Sequence, residues 1–422
     1  MMKRYNPFIF RLFGYCLAVL FMSASAYAVT VETDRTWYVA GETMKVSVTA
    51  DDALIAYAEL CDTYGLAAGV VFRLMENEGT GMMELPADLH SGYYVLSAYT
   101  RNSAKVAQRL VAIVNPLRKS EDDDIQWVET LAPLSSPEGH TIDPPSATRT
   151  IEAPLGAVGG AIPRETEGHI IEARVQHVYE GNTFKGSQIR PSLSIVGKQI
   201  HYFEGKMVND SIAIFYTYGI HGRQPLVLSA MTHTGVSLPI EMISPFATLI
   251  PKQLPHLVFH YNRREVEARS LDMQRHQASI VNGQSSMVSV YDDTLFGARP
   301  NLTYNLDQYR QFHSIREVLF EYVNCVSKKK INGLPQLIVT TDQDSYLSSW
   351  PALVLIDGMP VIDIERLLNY DARRIHYINI YGGKYTFGNG VHNGIVSFIS
   401  RSGRLTNYPV EPNVQYLVYV FP

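Results

Sequence analysis

Few residues in this chain have both the type and the spacing for chemistry, and each has a plain structural alternative. His256 and His260 stand four apart, the spacing with which a helix brings two imidazoles to one zinc ion. Leu257-Val258-Phe259 lie between them, favour a strand and supply no glutamate. On a strand, at about 3.3 Å per residue, the two rings would be about 13 Å apart, too far for one metal. Ser327 and Lys330 form Ser-x-x-Lys. Catalytic pairs of that kind need the serine at a buried helix start. Here it reads as lying at a helix C-terminus, where Lys328, Lys329 and Lys330 are solvated caps favoured by the helix dipole. Asp357-Gly358 reads as a turn after a buried strand, with Gly358 free to take positive φ, since no partner marks Asp357 as an acid catalyst. Gly382-Gly383 and Gly388-Asn389-Gly390, with Gly394, could cradle a phosphate only if they opened a helix. They lead instead into the strand-like Ile395–Phe398. Asp342-Gln343-Asp344 is too brief for a calcium loop, and the acidic run Glu121–Asp124 lacks ligand spacing. No Gly-x-Ser-x-Gly, Walker loop or Cys-x-x-Cys occurs. The expectation is a protein that is not an enzyme, with no catalytic residue, no metal site and no cofactor.

The elements that would position any site are mostly strands. The 422 residues are enough for two to four domains. Hydrophobic residues at 46% and charged ones at 18% suit folded domains and exclude a disordered chain. A formal charge of -5 offers no basic face, so nucleic acid is not an expected partner. Residues 1–28 read as a signal peptide. Lys3, Arg4 and Arg11 give a positive start, Leu12–Met22 is an apolar run, and Ala26-Tyr27-Ala28 fits a small-x-small cleavage site. No cysteine stands directly after Ala28, so no lipid anchor is expected, and no later stretch suggests a transmembrane span. Cys61 and Cys325 remain after cleavage. They fall in different modules, which favours free buried thiols over a disulfide.

Residues 29–115 carry short strand candidates at Val29–Thr33, Met44–Thr49, Ile55–Leu60, Val70–Leu74 and Tyr93–Tyr99, separated by turn residues such as Ala40-Gly41-Glu42 and Ser91-Gly92. Alternation of Met44, Val46 and Val48 with polar residues marks one buried face. This spacing indicates a β-sandwich. Residues 116–165 contain six prolines after an acidic run and read as a linker that cannot fold alone. Residues 166–261 suggest a second sandwich, with strands at Ile170–Val178, Ser192–Val196, Ile212–Tyr218, Gln224–Ala230 and Ser237–Met242. Residues 262–300 read as a connector with a possible helix over Arg263–Ala278. Residues 301–422 mix helices and strands. Ser314 and Glu317 form a capping box ahead of Ile315, Val318, Leu319, Tyr322 and Val323 at helical spacing. Leu337–Val339, Leu353–Ile356, Ile375–Ile380 and Gly394–Ser400 read as strands, and Ile364–Leu368 as a short helix. The final segment, Val414–Phe421, is apolar on both sides and so asks for burial on both. The favoured reading closes the sheet of this last module; addition to a partner as an edge strand is the alternative.

Several motifs carry resemblances. Thr33-Asp34-Arg35, Tyr38–Glu42, Ala56–Leu60, Glu84-Leu85-Pro86 and Ser91–Tyr94 resemble the MG2-like macroglobulin domain of bacterial envelope proteins, without the Cys-Gly-Glu-Gln of thioester traps. Ile171–Val175, Gly186, Leu193-Ser194-Ile195, Asn209-Asp210-Ser211 and Ile243–Phe246 resemble a carboxypeptidase-regulatory-like sandwich, a family with no peptidase site. Pro351–Asp357, Gly358–Val361, Arg374–Gly383 and Gly394–Ser400 resemble the plug of TonB-dependent outer-membrane receptors. In those receptors a barrel follows the plug; here about twenty residues follow Ser400. Phe296-Gly297, Tyr304–Tyr309, Phe312, Glu317-Val318-Leu319 and Glu321-Tyr322-Val323, leading into Leu353–Val361 and then Tyr370-Asp371, Arg374 and Ile378, resemble as an ordered set a Bacteroidota-type envelope family that joins such modules.

The sequence thus predicts a mainly β chain, with two immunoglobulin-like β-sandwiches followed by a small α+β plug-like domain. The resemblance implies an exported, non-catalytic binding or scaffold accessory in the periplasm or at the outer membrane. Its expected partner is a protein, an outer-membrane barrel or an envelope complex. An adhesin or surface-assembly subunit is the alternative.

Overall fold

In the computed structural model, Thr43–Ala50 points Met44, Val46 and Val48 inward and Lys45 outward, as its alternation requires. The structure describes residues 29–51, 53–101, 105–118, 124–128, 140–141, 149–152, 165–166, 168–197, 200–262, 264, 266–273, 275, 299–331, 333–340, 351–387, 390–403, 408–409 and 411–422. The expected signal peptide, most of the acidic run and Asp342–Asp344 lie outside them. The fold is mainly β with immunoglobulin-like sandwiches, and the chain divides into two units, each described by itself.

In the first unit, Val29–Thr33, Thr43–Ala50 and Glu78–Glu84 form one antiparallel sheet. The facing sheet runs Arg149–Glu152, Lys105–Val114, Gly92–Tyr99, Ile55–Cys61, Leu66–Arg73, with Trp37–Val39 added in parallel to Lys105–Val114. Met44, Val46, Leu60, Met83, Leu96 and Val111 fill the space between the sheets. Every residue of Ile55–Cys61 is buried. The reason is that the outer face of its sheet is covered as well: Thr248 and Leu249 lie over Glu59, and Glu165 and Arg101 meet Tyr57. Trp37, Val39, Tyr93, Ala112 and Val114 pack there against Leu257 and Val266. Val266 belongs to a helical stretch, 266–273. Arg269 from that stretch bonds both carboxylate oxygens of Glu42, at 2.8 and 2.6 Å, and its guanidinium lies 3.9 Å from the centre of the Trp37 ring. Such a planar, bidentate and stacked contact is one that lysine could not reproduce.

The stretch read as a linker contributes strands rather than a bare tether. Arg149–Glu152 pairs with Lys105–Val114, while Asp124–Val128 and His140–Thr141 pair with Val258–Asn262. Backbone pairing supplies what the composition, poor in apolar residues, could not. Residues 248–261, read with the second sandwich, group with the first unit.

The second unit contains the other sandwich and the α+β region. One sandwich sheet orders Lys206–Met207, Ile212–Thr217, His169–Val175 and Ile240–Met242. The other orders His201–Glu204, Ile189–Ile195, Gly222–Thr232 and Ser237–Leu238. Ile171, Ala173, Leu193, Phe215, Leu226 and Leu228 form the core between them. Asn209 Oδ1 accepts from the amides of Ser211 and Ile212, which sets the turn before Ile212–Thr217.

The α+β region has a mixed sheet in the order Leu302–Asn305, Ile375–Phe387, Gly390–Ser400, Leu353–Ile356, Met359–Pro360. Ile315–Glu321 starts at the expected capping box, with Ser314 accepting from the Glu317 amide and Glu317 bonding back. Ile364–Leu368 is also helical, started by the Asp363 side chain. Leu353–Ile356 is buried on both faces. Val354, Ile356, Val396 and Phe398 meet the helices on one side. Leu353, Leu355, Tyr381 and Ile395 meet Ile200 and Tyr202 of the sandwich on the other.

Two further expectations, both in the second unit, need correction. The C-terminal strand, Gln415–Phe421, does not close the α+β sheet. It pairs antiparallel with Gly222–Thr232 of the sandwich, from Gly222↔Phe421 to Leu228↔Gln415. Tyr419 and Phe421 enter the sandwich core, and Tyr419 meets His169 Nε2 at 2.7 Å. Tyr416, Val418 and Val420 on its other side stay half exposed, so the strand is not buried on both faces. The second correction concerns Ser327–Lys330, which is strand rather than helix end. It lies in Val326–Ile331, paired with Leu334–Val339 across a turn at Gly333. Its residues face water in the pattern of an exposed hairpin, and Lys328 bonds Glu365.

Candidate binding cleft and open sheet edge

The outward face of the second sandwich forms one wall of a cleft of about 410 Å³. Period-two alternation sends Leu193 and Ile195 into the core, so Arg190, Ser192 and Ser194 point the other way. Pairing then builds a polar row across three strands, because Glu204 stands opposite Ser192 and Ser192 opposite Ser229. The hydroxyls of Ser192 and Ser229 bond at 2.7 Å. Glu204 Oε1 meets His392 Nε2 at 2.5 Å and accepts from the Tyr202 hydroxyl at 3.3 Å. Burial, then the Glu204 charge, push the Tyr202 phenol well above its ordinary value, so it stays a donor. Gly390 makes the Glu204 pose possible: a Cβ there would overlap the carboxylate. The opposite wall is apolar, with Pro351, Leu353, Val354, Val361 and Ile364, while Met231 and Leu334 close an end. The arrangement can hold a molecule with hydrogen-bonding groups on one side and hydrocarbon on the other.

A second surface is the outer edge of Gln415–Phe421. Among the described residues this seven-residue strand pairs on one side only, and it contains no charged residue and no proline. Tyr416, Val418 and Val420 project from it at about half exposure. Unpaired strand edges of this kind accept further strands unless charges or kinks blunt them.

The residues singled out in the sequence scatter. His256 precedes the Val258–Asn262 strand, while His260 lies in it, opposite His140. Among the described residues no three His, Cys, Asp or Glu come together as a metal site. Cys61 and Cys325 are free. Cys61 is buried, and burial pushes its thiol up to about 12. Cys325 is only half-buried, not fully as expected. Gly382-Gly383 lies within the long strand Ile375–Phe387; Gly388 and Asn389 lie outside the described residues, and Gly390 and Gly394 lie in the strand Gly390–Ser400. Asp357 and Gly358 form the expected turn, with φ of 46° and 89°. A Cβ on Gly358 would lie 2.9 Å from the Ile195 carbonyl oxygen.

Asp357 itself is buried and accepts from the Ser400 amide at 2.7 Å and hydroxyl at 2.5 Å. Burial raises its carboxyl above the ordinary range despite these bonds. A raised folded-state value means a contribution to stability that is present below the unfolded-state value, about 3.9, and lost as pH rises through the folded one. Exposed Glu365, held low by Lys328, and Asp371, held low by Arg373, act in the opposite direction. Asp357→Asn keeps an acceptor for the amide and tolerates positive φ. Wild type is therefore expected to gain stability over Asp357→Asn as pH falls from 7 towards 4, measured by urea unfolding. A constant difference would refute the assignment.

No family model matches the sequence, and no curated protein matches it. Among solved structures the chain is similar to Escherichia coli alpha-2-macroglobulin activated by porcine elastase, at 9% identity and TM-score 0.20, over 51% of this chain and 20% of that one. The native conformation of E. coli alpha-2-macroglobulin aligns at 11% identity and TM-score 0.18, over 53% and 14%. DIP-gamma IG1+IG2 aligns at 9% identity and TM-score 0.14, over 51% and 96%. The aligned part spans a fifth or less of the two macroglobulin chains. Likeness this loose carries no argument about function. Among the described residues no helix is long and apolar enough to cross a membrane, which says nothing of β-barrels.

Proposed function

We propose that this chain is a non-catalytic, exported protein of a bacterial envelope, a binding and scaffold accessory. On this reading, the first sandwich is MG2-like, the second is regulatory-like, and the α+β region is plug-like. Residues 1–28 direct export and are removed. The C-terminal region docks with a protein partner, an outer-membrane barrel or surface complex.

The observation that carries the reading is the open edge at Gln415–Phe421, with its half-exposed Tyr416, Val418 and Val420. A partner strand added there satisfies the free backbone groups and covers the apolar stripe. The same strand is fixed to the second sandwich through Tyr419 and Phe421, so the edge is presented rigidly.

The test is co-purification of the mature protein from envelope fractions in mild detergent. A stable partner is expected with wild type. Val418→Lys should lose most of it, because a lysine on the edge blunts strand addition, while thermal melting stays within a few degrees. Wild type recovered as a monomer with no partner would sink the reading.

A further inference from the structure

The cleft in the second unit has a use that partner docking does not require. Glu204 has a side chain only 5% exposed, yet its Oε2 makes no hydrogen bond among the described residues. That oxygen is not sealed off from water, so a donor entering the cleft can reach it. Oε1 is held by His392 and Tyr202, which fixes the carboxylate and leaves Oε2 for a donor from outside. Beside it, Ser192 and Ser229 are also buried and line the same space. Ser192 also donates to the Tyr202 hydroxyl, so it accepts from Ser229 and keeps one lone pair, while Ser229 keeps two.

We propose that this cleft binds a small amphiphile whose head is a protonated amine and whose body is hydrocarbon. The ammonium donates to Glu204 Oε2 and to the serine hydroxyls, using three donors against three acceptors. The body lies against Leu353, Val354 and Val361. A cleft of about 410 Å³ falls in the ordinary range for small-molecule sites. An anionic head is disfavoured by the buried Glu204 charge. Arg190 also lines the cleft, but it is exposed, so its repulsion of a cation is screened by solvent and salt far more than the attraction of buried Glu204.

The experiment is isothermal titration of the mature full chain with hexylamine, hexan-1-ol and hexanoate, which share one hydrocarbon body. Saturable binding of hexylamine is expected, with Kd on the order of a millimolar or tighter. Hexan-1-ol should bind roughly tenfold more weakly, reflecting the charge-assisted bond, and hexanoate not at all. Glu204→Gln should abolish the preference of amine over alcohol. Ser229→Ala, which leaves the carboxylate in place, should weaken both heads and keep the preference. It serves as the working variant if Glu204→Gln fails to fold by circular dichroism. No saturable binding of hexylamine, equal binding of amine and alcohol, or tightest binding of hexanoate each overturns the proposal. None of these outcomes depends on the envelope partner, whose loss or recovery is read by co-purification alone.

Discussion

Phe421→Ala is expected to destabilise the second unit by about 3–5 kcal/mol while the first unit melts unchanged. Phe421 is buried in the sandwich core, stacked edge-on against Tyr419 with ring centres 5.0 Å apart. Removing it deletes a large buried ring, loosens the Tyr419 contact with His169, and weakens the hold of a strand that lies at the sheet edge. A loss of that size approaches the whole stability of many domains. The units can be followed separately. Of the three tryptophans, Trp37 and Trp127 belong to the first unit and Trp350 to the second, so in a Trp350→Phe background fluorescence reports the first unit, while amide exchange along Gly222–Thr232 reports the second. Two separable transitions, with only the second moved to lower denaturant, are the expected result. A Phe421→Ala protein that unfolds like wild type would show that the C-terminal strand is not part of this sandwich.

What the sequence disclosed follows from which interactions are local. The helix at Ile315–Glu321 was legible because its cap, Ser314 with Glu317, lies within one turn. The turn at Asp357-Gly358 was legible because two adjacent residue types determine it. The hairpin from Val326 to Val339 was equally local, and Asn332-Gly333 is the strongest short signal for one; reading three lysines as a helix end obscured it. The cleft was illegible for a different reason. Its polar row joins Glu204, Ser192 and Ser229, and His392 arrives from a strand 188 residues away from Glu204. His201–Glu204 is a short strand whose outward residues gave no periodicity to read. The C-terminal strand misled in the same manner. Its seven residues fit any sheet with a free edge and an apolar face, and local pattern cannot choose between two such sheets.

Glu59→Gln is expected to cost the first unit about 2–4 kcal/mol, because it removes one acceptor from a buried carboxylate that serves two backbone amides, the Tyr99 hydroxyl and, at 4.0 Å, the Cys61 thiol. Glu59 is fully buried and takes the Thr248 amide at 3.0 Å, the Leu249 amide at 2.6 Å and the Tyr99 hydroxyl at 3.0 Å. Glutamine keeps one oxygen, and its amide nitrogen then opposes a backbone N–H. Thr248 makes the site more demanding still. Its φ is 58°, a left-handed conformation that a β-branched residue adopts only under compulsion. The cost of such a residue is of order 1–3 kcal/mol, and the two amides pointed at Glu59 are what hold it there. Thr248→Gly removes the strain without touching the carboxylate, so it should raise stability by about 1 kcal/mol in the wild-type background. In Glu59→Gln it should gain less, since the segment is already free to relax. A double-mutant cycle followed by tryptophan fluorescence in the Trp350→Phe background measures the coupling, expected to be about 0.5 kcal/mol or more. Simple additivity would mean that Glu59 fills space beneath residues 248–249 and does not hold their backbone.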